Sequence, residues 1–160
     1  MQTIAIIGCG AIGEAVTRHL DEHDSIEIAI AIIEPGMEVR AQDVFGGEVE
    51  IAHAIGDVET EVDLAVDCAG HPALRQHGEA ILARGIDLVT VSSGALADAA
   101  LYDALAAAAK QGGAQLRVVS GAIGALDVLS AGSMGNLEKV TYRGRKPPKG
   151  WRGSPAEAKL

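Results

Sequence analysis

The chain has 160 residues and a mass of 16.4 kDa, enough for one domain and marginal for two. With 48% hydrophobic and 22% charged residues its composition is globular rather than disordered. Phe45, Tyr102, Tyr142 and Trp151 are the whole aromatic set, which argues against single-stranded nucleic-acid binding on stacking platforms, and the net charge of −9 argues against a phosphate-backbone partner.

Met1 leads directly into an apolar run without a signal-peptide pattern, no stretch approaches the roughly 18 apolar residues of a membrane span, and two cysteines cannot build a disulfide framework. A cytoplasmic protein with no membrane and no nucleic-acid partner is therefore expected. Gln2–Ile7 reads as a buried parallel strand. Gly8-Cys9-Gly10 breaks it, and Ala11–Leu20 reads as a helix with Ile12, Ala15, Val16, His19 and Leu20 along one face. Ile26–Ile33 is a second β-branched strand, stopped by Glu34-Pro35-Gly36. Residues 37–62 carry turn signals at Gly46-Gly47 and Gly56-Asp57, with a short strand at 48–53. Leu64–Cys68 reads as a strand, and Pro72–Arg84 as a helix with Pro72 at its first position and Gly85 past its end. Ile86–Val91 is a strand, Ala97–Gln111 a helix closed by Gly112-Gly113, and Gln115–Val119 a strand. Beyond Gly124 the pattern predicts a short helix to about Ala131, a strand at Leu137–Tyr142 and a loop-rich end. Residues 137–160 carry seven basic and two acidic side chains, leaving −14 on residues 1–136. The basic residues Arg143, Arg145, Lys146, Lys149 and Arg152 read as a solvated end, with an anionic ligand or partner as the alternative. Alternating strands and helices predict an α/β fold with a parallel sheet covered on both faces.

Gly8-Cys9-Gly10-Ala11-Ile12-Gly13 matches G-x-G-x-x-G, a weak string alone but informative between a strand and a helix. Gly8 makes the tight turn, Gly10 admits a pyrophosphate to the backbone, and Gly13 lets helix and strand pack closely. With Ala11 and Ile12 these residues form the expected cofactor loop, using helix N–H groups rather than a lysine. Glu34 stands 21 residues after Gly13, where a carboxylate accepts both ribose hydroxyls and repels a 2′-phosphate. NAD is the expected cofactor, with NADP possible because Arg40 is near. The fold expected is a Rossmann-type doubly wound sheet.

Ligands of such sheets lie beyond the carboxyl ends of the strands. This adds Ala69-Gly70-His71-Pro72, Ser92-Ser93-Gly94-Ala95 and Ser120-Gly121-Ala122-Ile123-Gly124 as cofactor loops, with Ala69, Gly70, His71, Ser93, Gly94 and Ala122 as candidate contacts; tight strand-to-helix turning serves equally as an account of them. His71 reads as a cap or cofactor neighbour, or alternatively as a proton carrier. His19, His23, His53 and His77 are expected at the surface, and Cys9 and Cys68 as small buried packing residues. The serine loop lacks G-x-S-x-G spacing, which argues against a hydrolase nucleophile. No metal ligands are expected.

These segments resemble the L-aspartate dehydrogenase family. The resemblance runs through Gly8–Gly13, Asp67-Cys68-Ala69-Gly70-His71, Ser92–Asp98, and Ser120-Gly121-Ala122-Ile123-Gly124-Ala125-Leu126-Asp127. Arg145-Lys146-Pro147-Pro148, Trp151 and Pro155-Ala156-Glu157 look like the bacterial form. It implies oxidative deamination of L-aspartate to iminoaspartate, which hydrolyses to oxaloacetate and ammonia or feeds NAD biosynthesis. Ala122 matches the family's cofactor-binding alanine. The family's cofactor-binding asparagine and catalytic histidine match no residue before Leu160, so no catalytic residue is assigned. The expected division is a cofactor domain over 1–124 and the start of a truncated substrate and dimerisation domain over 125–160. An unpaired strand at 137–142 would favour a homodimer. The alternatives are a dehydrogenase of the homoserine dehydrogenase type and a non-catalytic NAD-binding module.

Overall fold

The computed structural model describes residues 1–119, 126–141, 143–145, 147, 148 and 157. The chain divides into two compact units, Met1–Gly124 and Ala125–Leu160.

The first unit is built on six parallel strands: β1 (Gln2–Ile7), β2 (Ile26–Ile32), β3 (Glu50–Ala52), β4 (Leu64–Asp67), β5 (Asp87–Thr90) and β6 (Leu116–Val118). Their order across the sheet is β3-β2-β1-β4-β5-β6. The chain thus winds one way from β1 to β3 and the other way from β4 to β6, which leaves a crevice between the carboxyl ends of β1 and β4. Runs of Ile, Val and Ala suit strands covered on both faces. Alternation sends Ile30 and Ile32 to one core, with Leu74, Ile81 and Leu105, and Ala31 and Ile33 to the other, with Cys9 and Ala41.

The helices are α1 (Ala11–Leu20), α2 (Glu38–Phe45), α3 (His71–Ala83) and α4 (Ala99–Gly112), with 3₁₀ turns at Ile55–Asp57 and Ser93–Ala97. α2 falls in the stretch that the sequence left open. α4 begins two residues later than expected because Asp98 caps it, its carboxylate accepting from the N–H groups of Ala100 and Leu101. Arg75 holds the same carboxylate at 2.7 Å, tying α3 to the start of α4. α1 turns a different face inward than its apolar pattern suggests. It buries Gly13 and Thr17 and leaves Ile12 50% exposed, with Ala11, Ala15, Val16, His19 and Leu20 lining the same outer surface. Close approach at Gly13 sets this rotation, and the Thr17 hydroxyl donates to the Gly13 carbonyl at 2.9 Å.

In the second unit α5 spans Leu126–Ser133. The strand expected at Leu137–Tyr142 is a correction: residues 137–141 are not strand, and Tyr142 lies outside the described residues. Leu137 and Val140 are 47% and 51% exposed, and the Leu137 N–H turns back onto the Gly135 carbonyl instead of joining a ladder. The strand-edge argument for a homodimer falls with it.

Candidate cofactor-binding site

The first loop works by leaving space. Gly8 ends β1 with φ +93°, donates its N–H to the Ile32 carbonyl at 2.8 Å, and a Cβ there would lie 2.7 Å from Ala69 Cβ. A Cβ on Gly13 would lie 2.1 Å from the Gly8 carbonyl oxygen, so helix and strand meet at a distance that no side chain allows. Gly10 is different: no atom lies within 4 Å of where its Cβ would be. It caps α1 without any side-chain hydrogen bond to the first turn. The N–H groups at Ala11 and Ile12 have no acceptor among the described residues and stand at the positive end of the helix, where an anion is the natural complement.

Glu34, just past β2, lines the cleft beside this loop together with Gly8, Cys9, Gly10 and Met37. Its carboxylate is exposed and makes no hydrogen bond or ion pair to a described residue, so it is available to ligand hydroxyls. Glu38 nearby accepts the Gly36 N–H at 3.0 Å; that bond, with its own backbone N–H, holds its carboxyl below the usual range. Arg40, from α2, donates to the Cys9 carbonyl at 3.2 Å and to Glu14 at 2.6 Å. Glu14 also pairs with Arg18 at 2.7 Å. Arg40 thus braces the phosphate loop, and a 2′-phosphate could recruit it only by competing with Glu14.

The loops after β4 and β5 are held by a buried carboxylate that the sequence reading did not single out. Asp67, fully buried, accepts the Ala69 N–H at 3.0 Å on Oδ1, and the hydroxyls of Thr90 and Ser92 at 2.6 and 2.7 Å on Oδ2. The Ser92 N–H in turn donates to Thr90 Oγ1 at 2.9 Å. Ala69 and Gly70 carry the chain into α3, with Gly70 at φ +95° as its cap. His71 opens α3 exposed, with its ring against Gly94: a Cβ on Gly94 would lie 2.7 Å from His71 Cε1. Ser93 and Gly94 are exposed at the start of the 3₁₀ turn. The structure thus brings the first three predicted loops to one end of the sheet. The fourth, with Ala122, lies outside the described residues.

His77 is a second correction. Expected at the surface, it is 7% exposed and faces the cleft with Ala73 and Gln76 of α3, opposite Ile7 and Ile32. The pattern carried a signal: His77 is three residues after Leu74 and four before Ile81, on the buried stripe of α3. Burial lowers its pKa, opposed by the nearby Asp67 charge. His19, His23 and His53 are exposed as expected, His53 with Nδ1 3.0 Å from the Ile33 carbonyl. Cys9 and Cys68 are free and buried, and burial, aided by Asp67, pushes the Cys68 thiol up to about 11, which removes it from nucleophilic chemistry near neutral pH. Among the described residues no group of three or more His, Cys, Asp or Glu is placed to hold a metal, and no helix is long and apolar enough to cross a membrane.

An open parallel sheet with a switch point, a phosphate-ready helix end and a free carboxylate after β2 defines a dinucleotide-binding α/β domain. Residues 8–119 match the family described as homoserine dehydrogenase, NAD binding domain, and the chain belongs to that family. Its cofactor is NAD or NADP, and the free carboxylate, open glycine and uncapped helix fit such a group. The chain is 47% identical over 157 residues to the L-aspartate dehydrogenase of Ruegeria pomeroyi, covering 98% of itself and 56% of that protein. It is 41% identical over 160 residues to the L-aspartate dehydrogenase of Ralstonia nicotianae, covering 98% of itself and 60% of that protein. It therefore spans a little over half the length of these relatives. Among solved structures, aspartate dehydrogenase from Thermotoga maritima superposes with a TM-score of 0.60 at 28% identity, over 82% of this chain and 51% of that one. The WlbA dehydrogenase of Bordetella pertussis, in complex with NADH and UDP-GlcNAcA, gives 0.62 at 18% identity over 74% and 35%, a likeness of fold alone.

Proposed function

We propose that this chain is the cofactor-binding part of an NAD(P)-dependent L-aspartate dehydrogenase, which oxidises L-aspartate to iminoaspartate for hydrolysis to oxaloacetate and ammonia or for NAD biosynthesis. The observation that carries the reading is 47% identity to a protein of that name across 98% of the chain, joined to a site with the features a dinucleotide needs. NAD, when bound, accepts the hydride. The chain's own residues bind and orient: Gly8, Gly10, Ala11, Ile12 and Gly13 seat the pyrophosphate, and Glu34 takes the adenosine ribose. Ala69, Gly70, His71, Ser93 and Gly94 bound the nicotinamide end; Ala122, outside the described residues, is assigned to the cofactor by the family resemblance alone. The groups that hold both aspartate carboxylates and move the proton belong, in this reading, to the length that relatives have and these residues do not span. Residues 125–160 begin that substrate domain. A cytoplasmic setting agrees with two buried free thiols, and the exposed apolar face of α1 is the described feature that still favours a homodimer.

The test is a chimaera joining residues 1–160 to the remaining part of the Ruegeria pomeroyi relative, assayed for NADH formation with aspartate. Turnover by the chimaera is expected, with the 160-residue chain slower by at least about 10²–10⁴-fold for want of a proton-transfer group. A chimaera that binds NAD but leaves aspartate untouched would contradict the substrate. Full turnover by the short chain would move the chemistry to His71.

A further inference from the structure

We propose that His77 reads the base of the bound dinucleotide, hydrogen-bonding the 6-amino edge of adenine. The inference deepens the cofactor reading and rests on it. The cleft that His77 enters has a volume of about 190 Å³, below the roughly 300–1,000 Å³ of sites that enclose a whole drug-sized ligand, so it suits one end of a dinucleotide. Its walls suit a flat ring: Ile7 and Ile32 on the sheet side, Ala73 on the α3 side. Gly10 and Glu34 line the same cleft, so phosphate, ribose and base can occupy it in sequence.

The polar group aimed into this space is unusual in being unpaired. His77 is more than nine-tenths buried, yet its imidazole has no hydrogen-bond partner among the described residues. Among the described residues no sealed side-chain nitrogen or oxygen lacks a partner, so the unpaired ring nitrogens are not sealed off, and the cleft is the opening that His77 lines. A buried polar group is ordinarily satisfied, and one left open toward a cleft marks where a ligand atom belongs. Burial disfavours the protonated ring, and a neutral imidazole offers one acceptor and one donor. Adenine presents a donor on its 6-amino group, which the acceptor nitrogen of the ring can take.

The test pairs a change in the protein with a change in the base. The 160-residue chain is titrated calorimetrically with NAD and with nicotinamide purine dinucleotide, which lacks the 6-amino group. The wild type is expected to bind NAD about 5–30-fold tighter, the range for one or two such hydrogen bonds. His77→Leu should weaken NAD by a similar factor and bind the two dinucleotides alike, while His77→Gln, which keeps an acceptor, should retain part of the preference. Equal binding of both dinucleotides by the wild type, or an unchanged ratio in His77→Leu, overturns the assignment and leaves the cofactor site standing. Failure of the wild type to bind either dinucleotide overturns the cofactor reading and this inference together. Should His77→Leu not fold by circular dichroism, the wild-type ratio and the His77→Gln ratio decide the matter.

Discussion

The loop after β1 and the loops after β4 and β5 meet at the same end of the sheet, but opposite means hold them. The first is shaped by missing side chains: Gly8 fits against Ala69, Gly13 fits against the Gly8 carbonyl, and Gly10 leaves open space. The second pair is shaped by a side chain that is present, the buried Asp67 carboxylate binding Ala69, Thr90 and Ser92 at once. One arrangement tolerates no addition at Gly8 or Gly13, and the other no removal of Asp67. The difference follows from what each must do. An anion needs bare N–H groups within reach, whereas two turns from neighbouring strands need a fixed common anchor.

The largest effect is expected at Gly13→Ala. Its Cβ would meet a backbone oxygen at 2.1 Å, and neither partner can rotate away. A loss of about 3 kcal/mol is expected, at the upper end for overpacking, read as a lower urea midpoint with an unchanged slope. Wild-type stability would show that the close approach is not needed. Next comes Asp67→Ala, which leaves the Thr90 and Ser92 hydroxyls without their shared acceptor. A loss of roughly 2–3 kcal/mol is expected from unsatisfied buried groups, along with weaker NAD binding as the two loops separate. Stability lost without any change in NAD affinity would show that the anchor serves the fold and not the site.

The smallest change concerns discrimination. With Glu34 at the 2′ position, NAD should be preferred over NADP by at least tenfold, about 1.4 kcal/mol, and Glu34→Ala should narrow that gap without altering stability. Equal binding of both cofactors by the unaltered chain would contradict the role of Glu34. Arg40 would then have left Glu14 for the phosphate, and the 2.6 Å pair between them is the contact to probe.

The same contrast explains what could be read from the residues. Local signals carried the glycine loop, because Gly8, Gly10 and Gly13 lie within six residues, and a strand and helix flank them. The six strands were legible because Ile, Val and Ala runs between turn signals suit a doubly covered sheet. The Asp67 anchor was not legible, since its hydroxyl partners lie 23 and 25 residues away and only strand pairing brings them together. The inward face of α1 was misleading because the close contact at Gly13 outweighs the apolar stripe through Ile12 and Val16. His77 was overlooked for the converse reason: a polar residue on a buried stripe is easily assigned to solvent when its helix is judged by residue type. The segment 137–141 has strand-like composition but no ladder to join, and composition alone does not supply one.

The most direct test of the account is calorimetric titration of NAD into Gly10→Val beside the wild type. Gly10 has open space where its side chain would stand and an ordinary negative φ of −76°. Valine there should fill the pyrophosphate's place without disturbing the fold. The account predicts an unchanged thermal midpoint, within about 1–2 °C for a shift of roughly 0.5 kcal/mol or less, and NAD affinity lowered at least about 100-fold. Undiminished NAD binding by a folded Gly10→Val variant would contradict it.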